Sequence, residues 1–329
     1  MGDITWAMWN CSGLRPSSSP QTKIDFLNSY NDTKFDIVIL IETHHKVIQE
    51  ISALLQTYTK CSGIIETEAT EDDPYAGIAV LISNKFTLLE KTTLLTGRLL
   101  NFKIQCYKKV YNVTAMYGCT GKNASQEKME QMTEKLMKQH ATSDNNIILG
   151  DFNFVENDLD RTNKSSSGKN QMDNTLSKPW RDFTEKIGLS DPFRARNPKR
   201  RTYSYIHTKD KAKSRIDRVY VNDENCNDLM SYKHVPTFLS KTHKMITFTL
   251  KEECERGPGF WKMNTSILRD RAYETLVEKI ANDVLSLGLQ DPIERWLVFI
   301  ETIAIDTKAY SAKKKAIERR IKMVCEKKN

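Results

Sequence analysis

The sequence predicts a layered α/β fold in which two mixed β-sheets pack together, are flanked by helices and are followed by a helical extension. Residues 1–252 alternate short apolar, β-branched segments with longer amphipathic ones, which is the pattern of strands and helices in α/β domains. The segment LLNFKIQCYKKVYNVTAMYG predicts a hairpin, so some strands pair antiparallel. The large number of strands favours two packed sheets in a four-layer sandwich.

The predicted strands are runs of apolar and β-branched residues bounded by Gly, Asn, Asp and Ser. In chain order they are ITWAMWN, DIVILIE, AGIAVLIS, LLNFKIQCY, KVYNVTAMYG, NIILGDFN, RIDRVYV and KMITFTL. The predicted helices repeat apolar residues three and four positions apart. They are QTKIDFLNSYN, HKVIQEISALLQTY, SQEKMEQMTEKLMKQHA and LSKPWRDFTEKI.

The character of the chain changes after Lys251. The segment ECERGPGFWKMN contains Gly257, Pro258 and Gly259, which interrupt regular structure, and only helical patterns follow. We therefore predict one domain over residues 1–252 and a helical region over 253–329. No apolar run approaches the roughly 20 residues that span a bilayer, and the start MGDITWAMWN lacks the basic residues of a secretory peptide. We expect neither export nor membrane contact.

The positive charge is concentrated in one segment. The chain has a net charge of +8, and between Arg194 and Arg218 ten basic residues face two acidic ones. Aromatic residues lie within this segment, in RTYSYIH. A solvated surface and a contact with a phosphate backbone both remain open at this point. The seven cysteines form no CxxC pair, which disfavours a zinc site or a disulfide framework and favours a reducing compartment.

Six predicted strands carry a polar side chain of catalytic type at or near one end. Strand ends are where side chains converge in α/β domains. Each residue alone is explained by turn formation, but together they predict metal-assisted phosphoryl transfer, in which carboxylates hold a hard cation and amide or imidazole groups donate to phosphate oxygens. The candidate catalytic residues are Asn10, Glu42, Tyr117, Asp151, Asn153, Asp217 and His243.

The motifs around these residues resemble the endonuclease/exonuclease/phosphatase superfamily, which includes pancreatic deoxyribonuclease and the apurinic endonucleases. WNCSGL is similar to the family's N-x-x-G-L, and IETH is similar to Q-E-T/S with Ile41 in place of Gln. LGDFN and RIDRVYV resemble G-D-F-N and R/K-I-D-x-V/I, while YGCTG and KTHK stand where Y-x-P-N and S-D-H are usual. The order of these blocks holds over residues 4–250.

Three further segments make the resemblance closest to the apurinic-like endonuclease domain of non-LTR (LINE-type) retrotransposon proteins: NDLDRTN, GLSDPFRARNP and RGPGFWKMNTSILRD. This implies a DNA endonuclease that uses Mg²⁺, or Mn²⁺ in its place, and nicks one strand of double-stranded DNA to leave a 3′-hydroxyl that primes reverse transcription. It also implies synthesis in the cytoplasm, action in the nucleus and a reverse transcriptase domain downstream. The basic C-terminal helices are candidates for binding element RNA.

The resemblance assigns the metal to the first two strand ends. Glu42 would ligate Mg²⁺ with Asn10 beside it as a second metal residue, and Asp217 would support the metal and its hydrogen-bond network. Two positions depart from the family pattern, because Ser12 and Thr242 stand where relatives have Asp. An adjacent Asp would raise the pKa of an imidazole and fix its tautomer, so weaker metal binding, or a histidine pKa lower than in relatives, is expected here.

The resemblance also implies roles at the scissile phosphate and along the DNA. Asp151 would orient or deprotonate the attacking water, Asn153 and His243 would contact the phosphate, and Tyr117 would assist on the phosphate or the leaving group. The residues expected to contact DNA are Arg161, Thr202, Tyr203, His207, Lys209, Lys211, Lys213, Ser214 and Arg215.

Three alternatives stay open. The same fold could belong to an apurinic/apyrimidinic repair endonuclease or to a phosphatase of lipid or inositol phosphates, although the basic segment and the helical tail disfavour the phosphatase. Loss of the two carboxylates is also compatible with a DNA-binding domain whose catalysis has weakened. Because the other catalytic-type residues remain, an active endonuclease is the favoured interpretation.

Overall fold

The computed structural model describes residues 3–14, 35–49, 51, 61–120, 124–162, 167–236, 242–251, 263 and 265–326. The chain divides into two compact units, Met1–Glu253 and Cys254–Asn329. The helix predicted at residues 21–31 and most of the one predicted at 45–58 lie outside the described residues. Within these ranges, no helix combines the length and the apolar character needed to cross a bilayer.

The larger unit contains fourteen described strands and three described α-helices. The strands are β1 (Ile4–Asn10), β2 (Ile37–Ile41), β3 (Cys61–Thr67), β4 (Ile78–Ser83), β5 (Thr87–Leu95), β6 (Leu99–Cys106), β7 (Lys109–Tyr117), β8 (Asn146–Asp151), β9 (Leu189–Ser190), β10 (Tyr205–Ile206), β11 (Lys213–Ser214), β12 (Asp217–Asn222), β13 (Leu229–Val235) and β14 (Met245–Leu250). The helices are α1 (Gln126–His140), α2 (Ser167–Ile187) and α3 (Pro192–Arg196).

Twelve of these strands form two mixed sheets, as the sequence predicts. The first has the order β13-β14-β1-β2-β4-β3, and the second has the order β5-β6-β7-β8-β12-β9. Each contains one parallel pair, β1 with β2 and β7 with β8. The predicted hairpin is the antiparallel pair β6–β7. The remaining strands, β10 and β11, form a separate short hairpin.

The main core lies between the two sheets. Alternate residues of a strand point to the same face, and in β1 the residues Ile4, Trp6 and Met8 are fully buried in this core. Trp6 stacks on Phe248 of β14 with ring centroids 5.5 Å apart. Phe102 of β6 lies in the same cluster and belongs to the second sheet. The apolar period of two therefore fixes which face of each strand is internal.

Helices α1 and α2 cover the outer face of the second sheet. Ser125 caps α1 by accepting a hydrogen bond from the Lys128 backbone, and the spacing of Met129, Met132 and Leu136 puts these buried side chains on one face. Trp180 of α2 packs in the same cluster. This layer confirms the two helices predicted in this part of the chain.

Three longer strands were not predicted from the sequence, namely β3, β5 and β13. Strand β5 has the sequence TLLEKTTLL and lies at the edge of its sheet, where most of its residues are exposed. An edge strand with little burial on either face does not need the apolar alternation by which strands are recognised. Its pairing with β6 was therefore not visible in the residue pattern.

The smaller unit is helical, as predicted, and consists mainly of α4 (Arg271–Ser286) and α5 (Pro292–Glu326). Asp270 caps α4 by accepting a hydrogen bond from the Ala272 backbone. The two helices are joined by a buried hydrogen bond of 2.7 Å between the Tyr273 hydroxyl and Thr307 Oγ1. Trp296 stays 59% exposed.

A buried polar network in the second sheet surrounds His140 at the end of α1. His140 Nδ1 lies 2.7 Å from Asn146 Oδ1, and its Nε2 lies 2.7 Å from Thr114 Oγ1. Burial lowers the pKa of His140 to about 4, although the Asn146 hydrogen bond acts in the opposite direction. The folded protein therefore keeps this imidazole neutral at pH values where an unfolded chain would protonate it.

This pKa predicts an acid-sensitive stability. Because the folded pKa lies below the ordinary value of about 6.5, the contribution of His140 is fully present above that value and is lost as the pH falls toward 4. Between pH 7.5 and pH 5 the loss amounts to about 2 kcal/mol of unfolding free energy. Urea unfolding of the protein and of His140→Gln at both pH values measures it. The loss on acidification should be about 2 kcal/mol smaller in the variant, and equal losses in the two proteins would contradict the assignment.

Candidate active site

The register of the first sheet brings Asn10 and Glu42 to the same end. Asn10, the last residue of β1, pairs with Ile41, the last residue of the parallel β2. Glu42 follows directly and has a left-handed backbone with φ of 56°. Such a conformation is costly for a residue with a Cβ and persists where the surrounding structure imposes it. Here the left-handed conformation turns the chain at the end of β2, so that the Glu42 side chain leaves the direction of the strand.

The second sheet places three more candidates side by side. Tyr117 at the end of β7 pairs with Asp151 at the end of β8. On the other side of β8, Asp151 pairs with Asp217 at the start of the antiparallel β12. Both carboxylates are fully buried. Three neighbouring strands therefore deliver their polar ends to one point.

Asn10 joins the two sheets at this point. Its Nδ2 donates hydrogen bonds to Glu42 Oε1 and to Asp151 Oδ2, each at 2.9 Å. Its Oδ1 accepts a hydrogen bond from the Ser12 backbone at 3.0 Å, so the amide group faces the carboxylates with its donor end. Asn10 was predicted to be a metal residue, but in this orientation it holds Glu42 rather than offering its oxygen to a cation beside that carboxylate.

The partner of His243 is Asp217. His243 Nδ1 lies 3.1 Å from Asp217 Oδ2, and its Nε2 lies 3.9 Å from Asp151 Oδ2. Burial alone would lower the pKa of this imidazole, but the charge and hydrogen bond of Asp217, with help from Asp151 and Glu42, raise it to about 9. A carboxylate from another strand thus supplies the charge that Thr242 lacks, and a pKa lower than that of Thr242→Asp stays a prediction.

The carboxylates of the site have opposite pKa shifts. Burial raises the pKa of Asp151 to about 7, and the nearby Asp217 adds to the effect. For Glu42, burial acts in the same direction, but its interactions with His44, Asn10 and Tyr117 outweigh it and lower the pKa. Glu42 is thus ionised at neutral pH. A pair of carboxyl groups with separated pKa values is an arrangement suited to two different roles.

The charge balance of the site fits a divalent cation. Asp151, Asp217 and His243 offer ligand atoms that lie within 4.8 Å of one another. Nδ1 of His243 already faces Asp217 Oδ2 at 3.1 Å, and a metal would need its imidazole to be neutral. The ionised Glu42 presents the oxygen chemistry that Mg²⁺ and Mn²⁺ prefer. The donor groups of the site are therefore compatible with a divalent cation.

Tyr117 contacts the site as a neutral hydroxyl. Burial, together with the charges of Glu42 and Asp151, raises its pKa well above the ordinary value. The guanidinium of Arg98 lies over the Tyr117 ring, 4.6 Å from its centroid, and pairs with Asp73. Tyr117 can therefore donate a hydrogen bond at any physiological pH.

Arg98 was not among the residues predicted from sequence. The sequence signal for Arg98 is the Gly97-Arg98 pair in the turn just before β6. Gly97 has φ of 71°, and a Cβ there would come within 2.8 Å of the Ala76 side chain and 2.9 Å of the Glu68 carbonyl. Only glycine fits at position 97, so the backbone conformation there is fixed, and it fixes in turn the position of the buried Arg98.

Asn153 lies next to the site, but it does not continue the strand as the predicted segment NIILGDFN requires, because β8 ends at Asp151. The stretch after Asp151 is not extended, because Asn153 has φ of 60° and its backbone N–H donates to Asp151 Oδ1 at 3.0 Å. The side chain of Asn153 contacts the Gly118 carbonyl at 3.4 Å. Its amide therefore supports the loop after Tyr117, beside the catalytic cluster.

His44 is a further residue that the sequence analysis did not select. Its Nε2 lies 3.7 Å from Glu42 Oε2, and its ring meets the exposed Tyr75 edge-on with centroids 5.4 Å apart. Like Glu42, it has a left-handed backbone, with φ of 57°. The available sequence signal was the pair of consecutive histidines, His44 and His45, that follows Glu42 and Thr43 in IETHH.

The basic segment divides into exposed and buried parts. Lys209, Lys211 and Lys213 are exposed on the β10–β11 hairpin. Thr202 and Tyr203, which precede β10, and His207, which follows it, are half-buried. Ser214 is buried. The exposed lysines are the part of the segment that is accessible to a phosphate backbone.

Two arginines predicted to contact DNA are engaged inside the protein. Arg215 is 1% exposed and forms buried ion pairs with Asp160 at 2.8 Å and with Asp191 at 2.6 Å. Removing this guanidinium from its two carboxylates would leave uncompensated buried charge, so the prediction of a DNA contact is wrong for Arg215. Arg161 pairs with Asp173 at 2.7 Å and keeps 17% of its side chain exposed.

The Asp217–His243 pair yields a prediction for the protein without metal. The pKa of His243, measured by NMR of the imidazole, should lie near 9, and in Asp217→Asn it should fall to below about 7 because burial then outweighs the remaining charges. Asp210→Asn is the matched control, since Asp210 contacts a different, half-buried histidine, His207, at 2.7 Å. A pKa that stays near 9 in Asp217→Asn would rule out Asp217 as the cause.

Solved structures of similar fold come from several organisms. The AP endonuclease LMAP of Leishmania major has a TM-score of 0.64 and 17% identity, with 76% of this chain and 88% of that chain covered. An AP endonuclease from Archaeoglobus fulgidus has a TM-score of 0.58 and 15% identity, covering 75% of this chain and 99% of that one. The 3′-5′ exonuclease NExo of Neisseria meningitidis has a TM-score of 0.57 and 17% identity, covering 76% and 100%. At these identities the likeness establishes the fold.

Sequence comparison supplies the family. The chain is 23% identical over 205 residues to the transposon TX1 uncharacterized 149 kDa protein of Xenopus laevis, and the match covers 60% of this chain but only 15% of that protein. The model of the Endonuclease/Exonuclease/phosphatase family matches residues 8–231, which include the end of β1, every described strand from β2 to β12 and the start of β13. Both the sequence match and the two packed six-stranded sheets lead to one conclusion: the chain belongs to the Endonuclease/Exonuclease/phosphatase family.

Proposed function

We propose that this protein is the Mg²⁺-dependent DNA endonuclease of a non-LTR retrotransposon. It nicks one strand of target DNA and leaves a 3′-hydroxyl that primes reverse transcription. The observation that carries the proposal is the Asn10 amide, which links Glu42 of one sheet to Asp151 of the other beside the Asp217–His243 pair. This is an arrangement suited to phosphodiester hydrolysis.

In the proposed reaction, water attacks phosphorus, the P–O3′ bond breaks, and the products are a 3′-hydroxyl and a 5′-phosphate. Asp151 accepts a proton from the attacking water, a role that matches its pKa of about 7. The imidazolium of His243 donates from Nε2 to a non-bridging oxygen and offsets the growing negative charge. Tyr117 donates a hydrogen bond to the leaving O3′, which takes its proton from solvent.

The proposed function includes a divalent cation at Glu42. Glu42 would hold Mg²⁺, or Mn²⁺ in its place, with Asn10 fixing the carboxylate by its hydrogen bond. When bound, the cation would polarise a phosphate oxygen and neutralise part of the charge. The charge of three neighbouring carboxyl groups, against one imidazolium, supports this assignment.

The choice of DNA rests on the hairpin and on the relatives. Lys209, Lys211 and Lys213 are exposed on β10–β11, and β10 is bridged to His243, so a duplex lying on these lysines would reach the site. The transposon TX1 protein supports the retrotransposon role. The proposal includes action in the nucleus, a reverse transcriptase in the complete protein, and contact of element RNA with the basic part of α5.

A second candidate is an apurinic/apyrimidinic repair endonuclease. It is favoured by the AP endonucleases among the structures of similar fold. Ser12 and Thr242 stand where relatives have Asp, which also leaves open a DNA-binding domain whose catalysis has weakened. Against that alternative, Asn10, Asp151 and His243 keep a connected geometry, and Asp217 supplies the charge that Thr242 lacks.

Plasmid nicking tests the proposal. Purified protein should convert supercoiled plasmid to the nicked form with Mg²⁺ and not with EDTA, leaving ends that a polymerase extends directly. Glu42→Gln and Asp151→Asn, which keep side-chain size, should each lower the rate by at least about 100-fold. Glu90→Gln, an exposed residue on β5, is the control and should nick normally.

The outcomes separate the candidates. A preference for intact duplex supports the retrotransposon endonuclease, whereas cleavage confined to duplex with an abasic site would favour the repair enzyme. Salt-sensitive DNA binding without any nicking would establish the DNA-binding domain instead.

A further inference from the structure

We infer that the base of the β10–β11 hairpin positions the Asp217–His243 pair, with Tyr205 and Ser204 as positioning residues, so that the hairpin belongs to the catalytic scaffold as well as to the DNA-facing surface. The inference deepens the proposed function and rests on it. Neither residue belongs to the set predicted from sequence.

The first argument is the backbone around His243. This residue precedes β14, yet it forms an antiparallel bridge with Tyr205 of the hairpin. The bridge is flanked by two hydrogen bonds, from the Ile206 N–H to the Thr242 carbonyl at 2.8 Å and from the Lys244 N–H to the Ser204 carbonyl at 2.7 Å. The hairpin therefore fixes the backbone of His243 by strand pairing.

The second argument is the contact between side chains. The Tyr205 ring lies against the His243 imidazole with centroids 4.7 Å apart and planes inclined by 50°. Asp217 restrains the same imidazole through Nδ1. An aromatic neighbour restricts the tilt of an imidazole about its hydrogen bonds. Tyr205 and Asp217 together therefore define where Nε2 points.

Ser204 extends the same support to the carboxylate. Its Oγ accepts a hydrogen bond from the Asp217 backbone N–H at 3.0 Å, and Ser204 is fully buried. The two consecutive residues at the base of the hairpin thus hold both members of the pair. Ser204 acts on Asp217, and Tyr205 acts on His243.

The other edge of the hairpin is anchored as well. The Thr162 N–H donates to the Lys213 carbonyl at 3.0 Å, and the Lys213 N–H donates to Thr162 Oγ1 at 2.9 Å. Just beyond β11, Arg215 is locked by its buried ion pairs with Asp160 and Asp191. This anchoring gives Arg215 a structural role, because a rigid hairpin base is what transmits a fixed position to His243.

The arrangement separates two kinds of effect along the hairpin. Side chains at the exposed tip, such as Lys209 and Lys211, act on DNA affinity and hence on KM. Residues at the base act on the orientation of His243, which matters for the chemical step, so their loss lowers kcat.

The experiment compares Tyr205→Leu, which removes the ring, with Tyr205→Phe, which keeps it. Tyr107→Leu, at an exposed tyrosine in the β6–β7 turn, is the matched control. In plasmid nicking, Tyr205→Leu should lower kcat about 10-fold and leave KM within about twofold, while Tyr205→Phe and Tyr107→Leu stay within about twofold of the parent protein in both constants. A kcat unchanged in Tyr205→Leu, a rise in KM alone, or a Phe variant as slow as the Leu variant would overturn the inference.

A second readout needs no activity. In protein without metal or DNA, the nuclear Overhauser contacts of the His243 ring with residues other than residue 205 should change in Tyr205→Leu and be kept in Tyr205→Phe and Tyr107→Leu. Unchanged contacts in Tyr205→Leu would overturn the inference even if nicking is normal. If the parent protein does not nick at all, the proposed function fails, and the NMR comparison still decides the positioning role. Should Tyr205→Leu fold poorly, Tyr205→Thr, a good strand former without a ring, takes its place in both measurements.

Discussion

The site depends on one buried amide. Asn10 sits where β1 ends in the middle of the first sheet, and its Nδ2 reaches a carboxylate on each sheet, Glu42 and Asp151. The parallel pairing of β1 with β2 and of β7 with β8 brings the carriers of these groups to the same end of the sandwich. Because a buried donor left without acceptors costs about 1–3 kcal/mol, the amide and both carboxylates constrain one another. The geometry of the site therefore depends on how the two sheets pack together.

The electrostatics follow from that crowding. Three carboxyl groups share a buried region with one imidazole, and the protein resolves the conflict by dividing their roles. Glu42 is ionised, Asp151 has its pKa raised to about 7, and His243 holds its proton through Asp217. An imidazolium that is fixed at Nδ1 and presents Nε2, next to a carboxyl group whose pKa is raised by burial, suits the proton transfer and charge stabilisation of the proposed reaction. A cation at Glu42 would complete the balance.

Much of this was accessible from the sequence, for physical reasons. The predicted strands are those whose apolar and β-branched residues are required by a two-sided core, and the catalytic candidates stand out because polar residues at the ends of such strands are unexpected. The failures involve partners distant along the chain. Arg215 looked like a surface residue because Asp160 and Asp191 lie 55 and 24 residues away. His243 appeared to lack a carboxylate because Thr242 precedes it in the sequence, whereas Asp217 is 26 residues away. Sequence spacing does not encode such contacts.

The central claim is that Asn10 acts through the carboxylates it joins. A double-mutant cycle of nicking rates under single-turnover conditions tests this most directly, using Asn10→Ala, Glu42→Gln and the double variant. Groups that function as a unit are not additive. The account predicts that Asn10→Ala alone lowers the rate by at least about 100-fold and that the double variant is no slower than the slower single variant. Rate losses that simply multiply, or a small loss in Asn10→Ala, would contradict it.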